Sequence, residues 1–378
     1  MASDAKKMSV TASYSKRTLS SSVAGSTLFQ SELIYYTAKT QQTKNFVISP
    51  ISLRSLLTIL SIAVIRDPHA EILTVLGMKS THQGIQEYKG CRNASRDDFT
   101  FSLHNSIYLD VRFEIDLTFK TICLEQFQTR PINLTFENRE DVARNVNEWI
   151  AEQTEQQIKS RITIDTLDAM QHNLFVNIAH FERDFWLTRT EKISIDMMHD
   201  FCELQVGDFD DLKVTAMLIP YRNMDVKLLI DLAAKEIDGL VKLEQELKDQ
   251  RVDLTSLMTM MKAKNVKLGL PRLKLETNLL MNEVLMEMGI RAIFKDSIDF
   301  TRLLAVFNVM RISQIRHISA IEFNEEGTSA AVTKVSFLLT EMENCTVINI
   351  DRPFFFAVLD LERIYFGGHI TNTSNFLT

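Results

Sequence analysis

The stretch Asn324-Glu325-Glu326-Gly327-Thr328-Ser329-Ala330-Ala331 opens a connection of more than twenty residues between two predicted strands. The first of these strands ends at Phe323 and the second begins near Val347. A connection of this length with little helix or strand signature is unusual inside a compact domain, and such loops are usually functional or disordered. The small side chains would fit into a crowded sheet, and Gly327 would serve as a pivot.

Outward from this loop, helices are predicted mainly in the first half of the chain and strands in the last third. The predicted helices span 27–38, 69–76, 141–158, 241–249 and 278–288, the last ended by Gly289. The predicted strands span 45–48, 102–110, 214–220, 225–231, 312–323, 354–359 and 364–370. Ser49-Pro50 has the pattern of a helix N-cap followed by proline, and the apolar run 51–65 predicts a helix buried on all sides. The order is typical of an α+β fold.

Composition narrows the function classes. The chain has 378 residues, is 45% hydrophobic and carries a net charge of −7, which favours a globular protein and disfavours a nucleic-acid-binding one. No apolar run is long enough to span a bilayer, so no membrane contact is predicted. No repeat or Pro/Gly-rich linker divides the chain. We therefore predict a flexible tail over residues 1–24 and a single domain over residues 25–378.

The sequence contains no motif that predicts catalysis. No phosphate-binding P-loop, dinucleotide-binding glycine motif, zinc-protease helix or nucleophile elbow occurs. The eight histidines are scattered, and the four cysteines form no C-x-x-C pair. We therefore predict no catalytic residue, no metal, no cofactor and no enzymatic activity.

Seven segments, in the correct order along the chain, resemble the serpin family of serine protease inhibitors. They lie at 45–52 (NFVISPIS), 69–77 (HAEILTVLG), 147–158, 175–177 (FVN), 324–328 (NEEGT), 351–354 (DRPF) and 366–368 (FGG). The resemblance implies an α+β fold of three β-sheets with eight or nine helices and an exposed reactive-centre loop at about 325–346. It also implies that the loop is cleaved by a target serine protease, inserts into the main sheet and traps the covalently bound protease. The protein would act as a monomer.

The resemblance also assigns roles to individual residues. The loop hinge consists of Glu325, Glu326, Gly327, Thr328, Ser329, Ala330, Ala331, Val332 and Thr333. A polar cluster beneath the sheet consists of Ser49, Ser52, Asn177 and His317. Family spacing places the reactive bond between Glu341 and Met342, and a slip of one or two residues would place it after Thr340 or Leu339.

Two alternatives stay open at this point. The first is a non-inhibitory binding or carrier protein with the same fold, whose loop is cleaved without trapping. It is favoured by departures from the family pattern, namely Lys334 in the small-residue run, Arg183, and a segment missing after Phe185. The second concerns location. The family default is extracellular, but no signal peptide is visible at the start, so a cytoplasmic protein is the alternative. Four glycosylation sequons, at Asn93, Asn133, Asn344 and Asn372, lean toward secretion.

Overall fold

The computed structural model describes residues 21–93, 100–159, 161–167, 171–184, 188–192, 196–221, 225–233, 239–296, 298–306, 308–324 and 345–374. Nine α-helices lie in this part of the chain. They are α1 (Ser21–Thr40), α2 (Pro50–Ala63), α3 (Arg66–Val75), α4 (Thr81–Asn93), α5 (Leu117–Phe127), α6 (Arg139–Gln153), α7 (Gly239–Asp249), α8 (Leu254–Leu257) and α9 (Asn282–Met288).

Sixteen strands lie in the same described part. They are β1 (Phe46–Ile48), β2 (Thr100–Asp110), β3 (Pro131–Leu134), β4 (Asn173–Asp184), β5 (Thr188–Lys192), β6 (Asp196–Phe209), β7 (Val214–Pro220), β8 (Lys227–Ala233), β9 (Lys262–Pro271), β10 (Leu273–Leu280), β11 (Ile298–Asp299), β12 (Val309–Met310), β13 (Gln314–Asn324), β14 (Thr346–Asn349), β15 (Phe354–Leu359) and β16 (Ile364–Ile370).

These strands form three sheets. The five-stranded sheet has the order β10-β13-β4-β2-β3, in which β13 and β4 are parallel neighbours. The nine-stranded sheet has the order β1-β16-β15-β8-β7-β6-β9-β14, with β5 attached to β6. The pair β11–β12 forms the third sheet. The predicted α+β architecture of three sheets with eight or nine helices is confirmed.

The helix α2 lies at the centre of the molecule. Its sequence is apolar on all sides, and every residue except Ile62 is buried. Pro50 occupies the first helical turn, where its missing N–H costs nothing. The helix α2 contacts β16, and β16 pairs with β1 so closely that a Cβ on Gly368 would collide with the carbonyl oxygen of Phe46. The N-terminus of α2 therefore sits between the two large sheets.

The two faces of the five-stranded sheet bury different clusters. Ile315, Ile321 and Phe323 of β13 belong to the main core, which includes α2. Ile318 and Ala320 of the same strand belong to a second cluster that includes Val146 and Ile150 of α6. This alternation with a period of two is what a strand requires. The helix α6 therefore covers the sheet from the side opposite to α2.

Several predicted boundaries differ from the structure. The predicted helix 278–288 begins only at Asn282, because Asn278 to Leu280 continue β10 and pair with β13. The predicted helix 141–158 ends at Gln153. Ser49 does stand at the N-cap of α2, but its hydroxyl does not cap the helix. It donates instead to the carbonyl oxygen of Tyr365 at 2.6 Å. The strands 354–359 and 364–370 have the predicted bounds.

Candidate functional site

The parallel pair of β13 and β4 is the centre of the candidate site. The two strands are in register over eleven residue pairs, from Gln314 opposite Leu174 to Asn324 opposite Asp184. Because the strands are parallel, both carboxyl ends lie at the same edge of the sheet. The last described residue of β13, Asn324, lies at this edge, and residues 325–344 that follow it in sequence lie outside the described residues. We call the contact between these two strands the seam, and β13 ends beside it at Asn324.

The four residues of the predicted polar cluster lie together beneath this seam, and all four are fully buried. The backbone N–H of Ser49 donates to Nε2 of His317 at 2.8 Å. His317 Nδ1 donates to Oδ1 of Asn177 at 2.6 Å. Asn177 Nδ2 then donates to Oγ of Ser52 at 2.8 Å and to its carbonyl oxygen at 3.1 Å. The cluster is thus one continuous hydrogen-bonded chain from β13 through β4 to α2.

The protonation state of His317 follows from these contacts. A backbone N–H can only donate, so Nε2 is the acceptor nitrogen and the proton of the neutral ring lies on Nδ1. Burial lowers the pKa of His317 to about 3. The ring is therefore neutral near neutral pH, which is the form that this pattern of one donor and one acceptor needs.

Two further residues extend the cluster and escaped sequence reasoning. Asn105 of β2 accepts from Nδ2 of Asn177 at 2.7 Å and donates to Oγ of Ser55 at 2.9 Å. Ser55 in turn donates to the carbonyl oxygen of Ser52 at 2.6 Å. The sequence does contain a signal for Asn105, because this residue alternates with Leu103 and Ile107 along the strand and therefore lies on the same face, which is the face toward the core. A polar residue on an apolar face indicates a buried hydrogen-bonding partner.

A second set of polar contacts holds the opposite face of β13. Gln314 Nε2 and Arg316 Nη2 both donate to the carbonyl oxygen of Thr166, each at 2.9 Å. Thr166 lies in the segment that runs from the end of α6 to the start of β4. We call these two bonds the Thr166 latch. The latch ties β13 to the segment that leads into its parallel neighbour.

The remaining predicted site residues lie outside the described residues. These are the nine hinge residues from Glu325 to Thr333, the reactive-bond residues Glu341 and Met342, and Lys334. In the described part of the chain, no group of three or more His, Cys, Asp or Glu side chains lies together in a way that could hold a metal ion. Within the same part, no helix is both long enough and apolar enough to cross a membrane.

The family model described as Serpin (serine protease inhibitor) matches residues 24–373 of this chain. The chain belongs to the serpin family. Among curated relatives, serine protease inhibitor 42Dd of Drosophila melanogaster is 25% identical over 360 residues, which cover 90% of this chain and 95% of the relative. The serpin's buried seam and polar cluster therefore lie in a chain whose relatives include named protease inhibitors.

Solved structures show the same fold at lower identity. Serpin48 of the insect Tenebrio molitor, described as highly specific, has a TM-score of 0.80 at 22% identity, covering 93% of this chain and 97% of that one. Human thyroxine-binding globulin, solved in complex with thyroxine, has a TM-score of 0.75 at 20% identity, covering 93% of this chain and 98% of that one. At these identities the likeness concerns the fold alone, and it includes a protein solved in complex with thyroxine.

Proposed function

We propose that this serpin inhibits a serine protease as a suicide substrate. The protease cleaves the loop that follows β13, and the N-terminal part of the loop inserts between β13 and β4 while the protease is still attached by an acyl bond. The catalytic serine belongs to the protease, so the serpin contributes no catalytic residue. The observation that supports the proposal is that β13 ends at Asn324, at the carboxyl edge of its parallel pairing with β4, directly before the predicted reactive-centre loop in sequence.

The topology of that pair explains why insertion is favourable. A chain that reverses direction after Asn324 runs antiparallel to β13, and it is therefore antiparallel to β4 as well. Insertion would replace one parallel ladder by two antiparallel ladders. Antiparallel pairing is slightly more stable per residue, and each inserted residue adds backbone hydrogen bonds that an exposed loop does not make with protein. The sheet before loop insertion is thus a state with a lower-energy alternative, the sheet with the loop inserted.

The polar cluster sets part of the barrier to this change. Neighbouring strands lie roughly 4.8 Å apart, so a strand between β13 and β4 would double their separation. The 2.6 Å bond from His317 to Asn177 crosses the seam and has to break. Breaking it leaves a buried donor and a buried acceptor in need of new partners, which costs free energy until the incoming strand supplies them. The cluster would therefore keep the sheet closed until cleavage.

The second candidate function is binding without trapping. The fold of this chain is also that of human thyroxine-binding globulin, whose structure was solved with a bound hormone. Lys334 favours this candidate, because a lysine in an inserting strand opposes burial. A serpin whose loop inserts only as far as Lys334 would be cleaved, and the protease would be released.

A single assay separates the two candidates. The serpin is mixed with serine proteases of acidic, apolar and basic specificity, and the products are separated in SDS. A protease–serpin band that survives SDS supports trapping, whereas complete cleavage without such a band supports the second candidate. Mass spectrometry of the released C-terminal peptide identifies the bond. We expect Glu341–Met342, with Thr340 or Leu339 as the residue before the bond if the register differs, and cleavage after Lys or Arg would contradict this.

We further propose an extracellular location, with cytoplasmic residence as the alternative. The asparagine side chains of two of the sequons lie in different environments. The Asn133 amide donates to the carbonyl oxygens of Asp110 and Phe113, so it is engaged inside the fold. Asn372 is exposed near the C-terminus. We expect endoglycosidase to lower the mass of native material, and the Asn372→Gln variant to lose part of that shift. The absence of any shift would contradict secretion.

A further inference from the structure

In the described structure, the outer edge of β2 is open over more than half its length. β2 pairs with β4 from Thr100 to Leu109, but it pairs with β3 only from Ile107 to Asp110. Among the described residues, the part of β2 before Ile107 has no neighbouring strand on its outer side. An open strand edge presents unpaired N–H and C=O groups and is a template for pairing with another chain.

Two contacts identify which backbone groups face outward. The N–H of Asp110 donates to the carbonyl oxygen of His172 at 2.9 Å, so the even-numbered residues of β2 bond inward to the β4 side. The N–H of Val111 donates to the carbonyl oxygen of Leu134 at 3.0 Å, so the odd-numbered residues bond outward to the β3 side. Leu103 and Asn105 are odd-numbered. Their outward N–H and C=O groups meet no backbone partner in the described part of the chain.

A groove of about 570 Å³ runs along this open edge. Residues 101–106 of β2 form one wall, and Tyr88, Phe127 and Trp149 contribute aromatic rings to the others. Among the described residues that line the groove, Arg130 is the only charged side chain apart from the titratable His104. Arg130 is exposed and forms no ion pair with any residue of the described structure. The groove thus offers backbone donors and acceptors, apolar surface and one free cation.

We propose that this groove docks an extended peptide that ends in a free carboxylate, as an added strand parallel to β2. β3 is parallel to β2 and begins at Pro131, directly after Arg130. A strand that lies in line with β3 and runs in the same direction therefore ends beside Arg130. Its terminal carboxylate meets the guanidinium there, which makes a charge-assisted hydrogen bond. Four or five residues, at roughly 3.3 Å each, fill the length from residue 101 to residue 106.

The walls also select side chains of the peptide. Side chains of an added strand point alternately to the two faces of the sheet. On one face the groove is bordered by Tyr88 and Phe127, which belong to the main core. On the other face it is bordered by Trp149, which packs on the cluster beneath α6, and by Gln153. The partner of this site is thus a protein with an extended C-terminus in which apolar and polar residues alternate.

The test uses the peptide acetyl-Thr-Val-Thr-Val with a free carboxylate and the full-length serpin. Binding is followed by tryptophan fluorescence, because Trp149 lines the groove and the chain has only two tryptophans. We expect a saturable change that the Trp149→Phe variant lacks. We expect the C-terminal amide of the peptide to bind at least about fivefold more weakly, which corresponds to about 1 kcal/mol. A peptide N-methylated at the two residues that donate to β2 should not bind.

Two single variants, each tested with the acid and the amide form of the peptide, establish the role of Arg130. The Arg130→Gln variant should bind the acid and the amide equally weakly, whereas the matched control Arg302→Gln, an exposed arginine elsewhere, should keep the full preference for the acid. Retention of the preference in Arg130→Gln, undiminished binding of the N-methylated peptide, or no saturation by the acid would each overturn the proposal. A peptide that instead enters between β13 and β4 would be insensitive to Arg130. None of these outcomes depends on whether the serpin traps a protease.

Discussion

His317 on β13 and Ser49 before α2 are 268 residues apart in sequence, yet the backbone N–H of Ser49 donates to the imidazole of His317 at 2.8 Å. The same ring donates to Asn177 on the neighbouring parallel strand. One neutral side chain therefore joins the central helix to both strands of the seam. Any movement that separates β13 from β4 has to break the bond between His317 and Asn177.

The first prediction concerns the stability of the loop-intact serpin. Replacing His317 by Leu leaves the Ser49 N–H and the Asn177 Oδ1 without partners in a fully buried site. Each unsatisfied buried group costs about 1–3 kcal/mol, so with two such groups we expect the free energy of unfolding at pH 7 to fall by about 2–6 kcal/mol. Urea unfolding measures this. The control His82→Leu removes an exposed imidazole and should change the free energy by less than about 0.5 kcal/mol. An equal effect of the two variants would contradict the role of the cluster.

The second prediction concerns Asp231 on β8. Its carboxyl group is fully buried, and neither oxygen has a hydrogen-bond partner in the described structure. Burial raises the pKa of Asp231 from 3.8 to about 7. The folded state therefore binds a proton that the unfolded state has lost, and stability falls as pH rises from about 4 to 7. We expect Asp231→Leu to stabilise the serpin by a few kcal/mol more at pH 8 than at pH 4, since each pKa unit corresponds to about 1.4 kcal/mol.

Asp231 and His317 have opposite effects on the pH dependence of stability. The pKa of His317 is lowered in the folded state. Below about pH 6.5 the unfolded chain therefore binds a proton that the folded state does not, and the free energy of unfolding falls as the pH drops toward about 3. Between about pH 4 and 6.5 the two slopes cancel. We therefore expect Asp231→Leu to expose a stability that rises with pH in this range. The control Asp211→Leu, at an exposed position, should leave the profile unchanged, and a flat profile in Asp231→Leu would contradict the assignment.

The sequence predicted the architecture of the fold better than it predicted the contacts between side chains. The motif around Ser49 located the cluster, and the apolar strands near the C-terminus were predicted with correct bounds, because their signals are local. The helix predicted from Asn278 failed because the pairing of Asn278 with Ile318 on β13, forty residues later, overrides local periodicity. The Thr166 latch could not be predicted, since it joins side chains to one carbonyl oxygen through tertiary packing alone.

The third prediction concerns the Thr166 latch. Gln314→Ala removes one of the two bonds that tie β13 to the segment before β4. A net hydrogen bond is worth about 1 kcal/mol, so insertion should speed up by about fivefold if the bond is broken in the transition state. The rate is measured as the rise in thermal stability with time after the loop is cut. Gln205→Ala, which removes a glutamine in the nine-stranded sheet, is the control and should leave the rate unchanged. A slower or unaltered rate in Gln314→Ala would show that the latch stays closed during insertion.

The fourth prediction concerns Lys334. The register of β13 and β4 predicts where this residue would lie after insertion. His317 lies seven residues before Asn324, and Asn177 lies opposite His317 on β4. If the chain reverses through a two-residue turn after Asn324, Gly327 pairs with Asn324 and Lys334 pairs with His317. Residues directly opposite each other share a face of the sheet, and His317 faces α2. Insertion would thus bring the Lys334 ammonium to the buried polar cluster.

The cluster is a poor environment for this charge. The imidazole of His317 stays neutral at the pH of the experiment, because its pKa is lowered to about 3. The bonding partners around it are amides, hydroxyls and backbone groups, with no carboxylate among them. Burying an ammonium without a counter-charge costs several kcal/mol, although the long side chain reduces this if it reaches solvent. Insertion would slow or stop at Lys334, and an undistorted protease would then hydrolyse the acyl bond.

We therefore expect Lys334→Thr to raise the fraction of cleavage events that end in an SDS-stable complex. A threonine hydroxyl both donates and accepts, so it can bond to His317 and Asn177 after their mutual bond has broken. The melting temperature of the loop-cleaved form should rise by a few degrees relative to that of the intact form, since each kcal/mol corresponds to roughly 1–2 °C in a domain of this size. Lys334→Arg, which keeps the charge, is the control and should give no gain. Equal melting temperatures of the cleaved wild type and Lys334→Thr, with unchanged complex yield, would show that insertion is limited elsewhere.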